Sequence, residues 1–364
     1  MGENSVADAV SAARSLLGDD MERFEAFLSA ALEEQEGYLS ATEHDLYARG
    51  KKLRPLMLML SARLAGHGVI ETISDKTIKA AVSLEMLHVA TLIHDDIVDE
   101  APLRRGLTSV HDARGTEMAV LIGDLQFIQA IRFFAHAVET QDDMRLVRLV
   151  LDVGFRICCG ELDELATDPD VSADELRERY LQTVDRKTAV LFGLACEAGA
   201  SLAGAGKRST LHISQFGRSF GLAFQIMDDL MDFVRPDAHS GKLVARDLRQ
   251  GRLSLPIVYA LDELPREHVL HRLVRRQTRA VTTEEKEQYE EDVRRAVAAV
   301  VVSRGFLRAY SEARDAINLA LRSLERFPDV PERRALADLA REVVDRSIHR
   351  PDAELARRSA LVSL

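Results

Sequence analysis

From Thr77 to Glu100 the chain reads TIKAAVSLEMLHVATLIHDDIVDE. Apolar and small residues fall on every side of a 3.6-residue period until the last two turns. A helix patterned this way is stable only when neighbours cover it all round, so the stretch predicts a buried central helix inside a helical assembly. The rest of the composition points the same way. Trp is absent and aromatics make up only 5%, while Ala, Leu, Arg and Glu are frequent, which favours helix over sheet.

Helical spacing continues along the chain. It is visible over 5–34 with a break at Gly18-Asp19-Asp20, and over 53–65, where Pro55 suits a first turn. Further helices are predicted over 116–140, 143–166, 173–203 and 208–234, broken by clusters such as Thr167-Asp168-Pro169-Asp170 and Ala203-Gly204-Ala205-Gly206. From 265 to 350 the pattern turns amphipathic and highly charged, as expected of an outer layer. No strand alternation and no long linker stand out. The fold class read here is all-α in a single domain, although 364 residues could hold two.

A net charge of −11 excludes a global nucleic-acid footprint. Cys158, Cys159 and Cys196 lack zinc spacing and are odd in number for a disulfide framework, so buried reduced thiols in a cytoplasmic protein are expected. The N-terminus has no basic start followed by an apolar run, and no apolar stretch reaches the roughly 18 residues of a spanning helix.

The acidic residues carry the functional reading. Asp95, Asp96 and Asp99 form a DDxxD pattern, and so do Asp228, Asp229 and Asp232. Positions i and i+4 share a helix face, so each cluster aims at least two carboxylates at one point beside the end of an apolar helix. Like charges against a core need a cation. Hard oxygen-loving ions fit, Mg²⁺ above all, because it takes one or two carboxylates, waters and substrate phosphate oxygens. A solvated acidic face would account for one such motif but poorly for two.

Basic residues lie close by. Gly50-Lys51-Lys52-Leu53-Arg54-Pro55 opens a helix, whose N-terminus adds positive potential. Arg104-Arg105-Gly106 follows the first acidic cluster, Lys187-Thr188 interrupts an apolar helix, and Lys242, Arg246 and Arg252 follow the second cluster. Together with an apolar wall, they suggest a ligand with a diphosphate head and a hydrocarbon tail.

These segments resemble the trans-isoprenyl diphosphate synthase (polyprenyl synthase) family over roughly residues 45–350. The shared motifs are GKKLRP at 50–55, EMLHVATLIHDDIVDEAPLRRG at 85–106, GD at 123–124, GELDE at 160–164, RKTAVLF at 186–192, FQIMDD at 224–229 and GKLVARDLRQGRLSLP at 241–256. The resemblance implies about a dozen helices around a deep central cavity. It also implies a homodimer and a prenyltransferase that extends an allylic prenyl diphosphate with isopentenyl diphosphate. On this reading 1–44 is a helical segment packed on a catalytic domain of 45–350, and 351–364 is a tail. The resemblance makes Asp95, Asp96, Asp99, Asp228, Asp229 and Asp232 ligands of about two or three Mg²⁺ ions per site. Arg104 would hold the allylic diphosphate. Lys51, Arg54, His88 and Arg105 would form the isopentenyl diphosphate pocket. Lys187, Thr188, Gln225 and Lys242 would lie near the allylic diphosphate and the developing cation. The protein would be cytoplasmic, with at most peripheral membrane contact for product release and no nucleic-acid partner. Three positions keep charge or hydroxyl while departing from the usual residue: Arg246 and Arg252 for Lys, and Ser254 for Thr. Lys52 stands where Arg is frequent and Glu164 where Gln is frequent.

Ala90 and Thr91 lie one turn below the first cluster. A large aromatic there closes the cavity early in this family, so the small Ala90 implies a product longer than C15, with C20 and C30–C50 both open. The floor would lie lower, at Met86, Leu87, Phe127 or Ile131. Two other functions use the same scaffold: a terpene cyclase, and the catalytic subunit of a two-component synthase. A non-catalytic subunit would tolerate loss of the aspartates, and both clusters are intact. A purely structural bundle leaves the paired acidic and basic groups unexplained.

Overall fold

A computed structural model describes residues 4–66, 72–104, 106–136, 138, 140, 144–234, 245–275 and 282–348. The chain begins with α1 (Asn4–Leu17), α2 (Asp19–Glu33), α3 (Ala41–Ala48), α4 (Leu53–Ala65) and the long α5 (Asp75–Val98). A short hairpin of β1 (Leu103–Arg104) and β2 (Leu107–Thr108) leads to α6 (Val110–Arg114), α7 (Thr116–Ala135), α8 (Met144–Leu165) and α9 (Ala173–Val184). A π-helical turn (Asp185–Ala189) then joins α9 to α10 (Val190–Leu202), which is followed by α11 (Lys207–Val234), α12 (Arg246–Arg249) and α13 (Leu255–Glu263). The remaining helices are α14 (Val269–Val274), α15 (Thr283–Val302), α16 (Arg304–Leu324) and α17 (Pro331–Ile348).

Local signals explain several boundaries. Ser40 and Glu43 form a reciprocal capping box at the start of α3, and Thr282 and Glu285 do so at α15. α5 is the central helix that its pattern predicts. Ile78, Ala81, Val82, Leu84, Met86, Leu87, Val89, Ala90 and Ile93 are all buried. It packs along α7 and α4 and touches α10, while α10 lies along α11 and α11 along α16. α16 buries one stripe, Phe306, Ala309, Ala313, Ala316, Ile317, Ala320 and Leu324, as an outer helix should.

Four expectations are corrected. The segment 173–203 is one helical path but not one α-helix, because the π turn widens it at Lys187-Thr188. Two short strands exist where none were foreseen; they are the arms of the turn around Gly106. α7 is long and apolar enough, by length and composition, to cross a membrane, although 44% of that window is buried inside the fold. Of the three cysteines only Cys196 is buried; Cys158 is exposed and Cys159 half-buried on α8. Burial pushes the Cys196 thiol up to about 12, whereas the α8 pair faces outward from an amphipathic helix whose patterning hid its orientation.

α7 and α8 are in contact, and both turn apolar side chains outward. Leu121 and Ile128 on α7 are 64% and 62% exposed, and Phe155 and Leu162 on α8 are 71% and 66% exposed. Singly such residues are ordinary, but as one patch on two neighbouring helices they mark a surface made to be covered.

Candidate active site

The first acidic cluster closes α5. Asp96 is buried, Asp95 is partly exposed, and Asp99 has left the helix as its C-cap. The β1–β2 hairpin folds Arg104 back so that its Nε donates to Asp96 Oδ1 at 2.7 Å. Asp96 Oδ2 is buried with no hydrogen-bond partner. Burial raises the Asp96 carboxyl, and Arg104 only partly offsets this. Asp99 is raised by burial too, against the opposing pull of Arg252, whose guanidinium donates to Asp99 Oδ1.

The second cluster lies on the last turns of α11, with Asp228 exposed, Asp232 partly exposed and Asp229 buried. Asp229 Oδ2 accepts from the Tyr180 hydroxyl at 2.6 Å and Oδ1 from Gln225 Nε2 at 2.8 Å. Gln225 Oε1 in turn accepts from Thr188 Oγ1 at 3.0 Å. Burial, then Asp247, push Asp229 well above the usual carboxylate range, with Tyr180 and Gln225 pulling against them.

The segment 245–254 ties the clusters together. Asp232 Oδ2 accepts from the Asp247 backbone N–H at 3.1 Å, and Gln250 Nε2 donates to the Asp99 carbonyl at 3.1 Å. Arg252 in the same segment pairs with Asp99 and lies 3.8 Å from Glu164. Lys187, on the π turn, bridges Glu161 at 2.7 Å and Glu164 at 2.9 Å. Burial would lower the Lys187 ammonium, but Asp95, Glu164 and Glu161 hold it above the ordinary lysine range. Burial and Asp95 push Glu161 up to about 7, and burial and Asp232 push Asp247 up to about 7. Arg104, Lys187 and Arg252 therefore lie among the carboxylates of the first cluster, and the 245–254 segment links that cluster to Asp232 of the second.

Two glycines make this closeness possible. A Cβ at Gly160 would lie 3.0 Å from the Lys187 nitrogen, so α8 could not press against the π turn. A Cβ at Gly123 would lie 2.2 Å from the His94 ring, beside Asp124 at 3.5 Å. The described non-glycine residues with left-handed backbone are Lys52, Glu100 and Ala245, with φ of 55°, 47° and 40°. Each flanks a motif residue, and such strain gathers where function fixes a geometry.

The other predicted residues divide as follows. Lys51 is exposed and Arg54 partly buried, its guanidinium 4.3 Å over the Phe192 ring. Lys52 turns inward and pairs with Glu85 at 3.2 Å, one turn before the partly exposed His88 on α5. Lys52 also donates to the Tyr47 carbonyl, and Tyr47 donates to Gln126 at 2.7 Å. The start of α4 is thereby fastened to α5 beside His88. Arg105 and Lys242 lie outside the described residues. Met86, Leu87 and Ala90 are closed off within the packed interior, whereas Thr91, Phe127 and Ile131 retain partial exposure. The space beside the clusters therefore borders Thr91 more directly than Ala90.

Sequence reasoning counted Arg252 among the basic residues near the second cluster but did not place Tyr180, Glu161 or Asp247 in the site, although each sits in or near a quoted motif. Tyr180 is seven residues before Lys187 on the same helical path, a spacing that could have flagged it. Glu164, which stands where Gln is frequent, pairs with Lys187 at 2.9 Å and lies 3.8 Å from Arg252. Those two cations hold its carboxyl below the usual range, overcoming burial.

Among the described residues, no three Asp, Glu, His or Cys side chains converge into a closed metal cage. The donor set still fits Mg²⁺, which completes its octahedron with waters and substrate phosphate oxygens rather than with protein alone. The orphaned Asp96 oxygen, and the Asp96 and Asp99 carboxyls raised by burial beside Asp95, are features that a bound cation would relieve.

Residues 35–293 match the sequence profile of the family described as polyprenyl synthetase. Nonaprenyl diphosphate synthase of Mycobacterium tuberculosis is 33% identical over 94% of this chain and 96% of its own length. Heptaprenyl diphosphate synthase component 2 of Bacillus subtilis is 29% identical over 91% of this chain and 89% of its own. Among solved structures, a polyprenyl synthase from Caulobacter crescentus complexed with calcium and isoprenyl diphosphate superposes with a TM-score of 0.78. It shares 31% identity and covers 92% of this chain and 97% of its own.

Proposed function

This chain belongs to the polyprenyl synthetase family, and from that premise we propose how its residues divide the work. It is a trans-polyprenyl diphosphate synthase, a prenyltransferase that joins an allylic prenyl diphosphate to isopentenyl diphosphate and makes products longer than C15. The observation that carries our division of roles is the 245–254 segment, which holds Asp99 of one cluster and Asp232 of the other in one hydrogen-bonded unit. A diphosphate entering between them meets Arg104, Lys187 and Arg252.

Mg²⁺, held by carboxylates such as Asp95, Asp99, Asp228 and Asp232, would supply Lewis-acid neutralisation of the diphosphate charge. Arg104, Lys187 and Arg252 stabilise the negative charge that develops as the allylic C–O bond breaks. Thr188 and Gln225 turn oxygen dipoles toward the allylic cation, and the apolar helices around Thr91 keep water from it. Lys51, Arg54 and His88 hold isopentenyl diphosphate so that its double bond attacks the cation. The departing proton goes to the released diphosphate, the basic oxygen nearest the new cation.

Product length is assigned to the class of the heptaprenyl and nonaprenyl relatives, and the protein to the cytoplasm. The outward apolar patch of α7 and α8 supports a two-fold dimer, whose isologous geometry covers the patch with its own copy. A heterologous subunit on the same patch would give the two-component alternative. Lys51, Arg54 and His88 argue against a cyclase, which has no second diphosphate to hold. The deciding experiment incubates purified protein with Mg²⁺, labelled isopentenyl diphosphate and allylic primers from C5 to C20, and reads product length by chromatography. Labelled polyprenyl product from the chain alone is expected. A product without isopentenyl incorporation, or activity only with an added subunit, would overturn the reading.

A further inference from the structure

We propose that Tyr180 is a positioning residue for the condensation, acting through Asp229 to fix the Gln225 amide and the Thr188 hydroxyl at the reacting centre. The proposal rests on the synthase reading above and goes beyond it by reassigning Asp229 from ion ligand to hydrogen-bond hub.

Within the second cluster Asp229 alone is buried. Each of its oxygens already accepts a hydrogen bond from inside the protein, Oδ2 from Tyr180 at 2.6 Å and Oδ1 from Gln225 at 2.8 Å. The chain of bonds then runs from Gln225 Oε1 to Thr188 at 3.0 Å, linking α9, α11 and the π turn. Its polarity follows from the chemistry of each group. Tyr180 has one proton to give, and it goes to the carboxyl. The Gln225 NH₂ is the only part of that amide able to donate, so it faces Asp229 and leaves the oxygen on the Thr188 side. A flipped amide would put the positive end of its dipole where an allylic cation forms. Asp229 blocks the flip, and Tyr180 keeps Asp229 from rotating away.

Tyr180 packs against the hydrophobic core with its hydroxyl turned to α11. Removing that hydroxyl leaves a buried oxygen without its donor while the ring keeps its place. Asp228 and Asp232, the more exposed members of the cluster, remain the candidates to meet an ion.

The test compares wild type, Tyr180→Phe and Asp229→Asn. The readouts are kcat, KM for isopentenyl diphosphate, the fraction of allylic diphosphate released as alcohol instead of coupled, and Mn²⁺ binding with inorganic diphosphate by EPR. Tyr180→Phe is expected to lower kcat roughly tenfold and leave KM within about twofold. The alcohol fraction should rise, because a misaligned dipole leaves the cation longer exposed to water. Mn²⁺ affinity should stay at the wild-type value in both variants. Asn at 229 keeps the volume but can accept from only one of the two donors, so it should reproduce the partition defect and carry the test if Tyr180→Phe does not fold. A purely structural role would lower active protein without moving the alcohol fraction. An unchanged fraction in both variants, or weakened Mn²⁺ binding in Asp229→Asn, overturns the proposal. A wild type unable to incorporate isopentenyl diphosphate would instead sink the synthase reading.

Discussion

Replacing Glu85 by Gln should cost stability and selectively weaken isopentenyl diphosphate binding. The Lys52 and Glu85 side chains are 3% and 4% exposed, and their charged atoms are 3.2 Å apart. At that separation and an effective dielectric near 20 the attraction is about 5 kcal/mol. Removing one member leaves the other charge buried, which typically costs about 3–5 kcal/mol. The glutamine oxygen can still accept from Lys52, so about 3 kcal/mol is expected. The effect reaches the site because Lys52 sits in a left-handed conformation that only a firm anchor sustains. Once loosened, the turn no longer aims Lys51 and Arg54. Urea denaturation of the whole protein gives the stability loss, and steady-state kinetics should give a raised KM for isopentenyl diphosphate with the allylic KM unchanged. The double variant Lys52→Met, Glu85→Leu should recover most of the stability, since an apolar pair of similar volume needs no neutralisation, but not the KM. A single-variant cost below about 1 kcal/mol, or equal changes in both KM values, would refute this reasoning.

Three further outcomes follow from the same geometry. Thr91→Phe should shorten the product, read by chromatography, since Thr91 borders the space beside the clusters, whereas Ala90→Phe should cost about 1–3 kcal/mol because that site is already filled; unchanged length in Thr91→Phe would remove Thr91 from the wall. Phe155→Arg should break the proposed dimer. Losing about 2 kcal/mol of burial at each of two symmetric sites weakens association roughly a thousandfold, so sedimentation should find monomers, and an unchanged mass would place the interface elsewhere. Metal-free protein should lose thermal stability as pH rises from about 5 to 8. Glu161 and Asp247 are pushed up to about 7 by burial, so in the fold they keep protons that the unfolded chain gives up near ordinary carboxylate values. Their contribution is present below that range and lost as pH passes about 7. Mg²⁺ with diphosphate should restore the midpoint at the higher pH, and a midpoint rising with pH would contradict the burial argument.

The fold was legible because its main determinant is local. The all-round apolar run of 77–100 could only be a buried helix, and α5 is one. What stayed hidden depends on partners distant in sequence. The π turn leaves no mark on hydrophobic period, because one widened turn shifts the stripe by about one residue. The hairpin carrying Arg104 is too short for alternation to register. Lys51 and Lys52 look equivalent as a basic pair, yet one is exposed and the other buried against Glu85. Only a left-handed residue at Lys52 separates them, and nothing in a Lys-Lys dipeptide announces it.

The same distinction runs through the aspartates. Six acids in two identical motifs read as six equal ligands, but helix geometry cannot make them equal. On a helix pressed against a core, i and i+4 share a face and i+1 is turned about 100° from i. In the second cluster that rotation sends Asp229 inward to Tyr180 and Gln225, while Asp228 and Asp232 keep more contact with solvent. In the first cluster it sends Asp96 inward to Arg104. The middle residue of each motif is therefore the most deeply buried, while Asp95, Asp99, Asp228 and Asp232 keep more contact with solvent, Asp99 and Asp232 even as they accept from Arg252 and the Asp247 N–H. Unequal burial is what a DDxxD helix end imposes whenever its other face is packed against a core, and it is why identical letters in the two motifs need not do identical jobs.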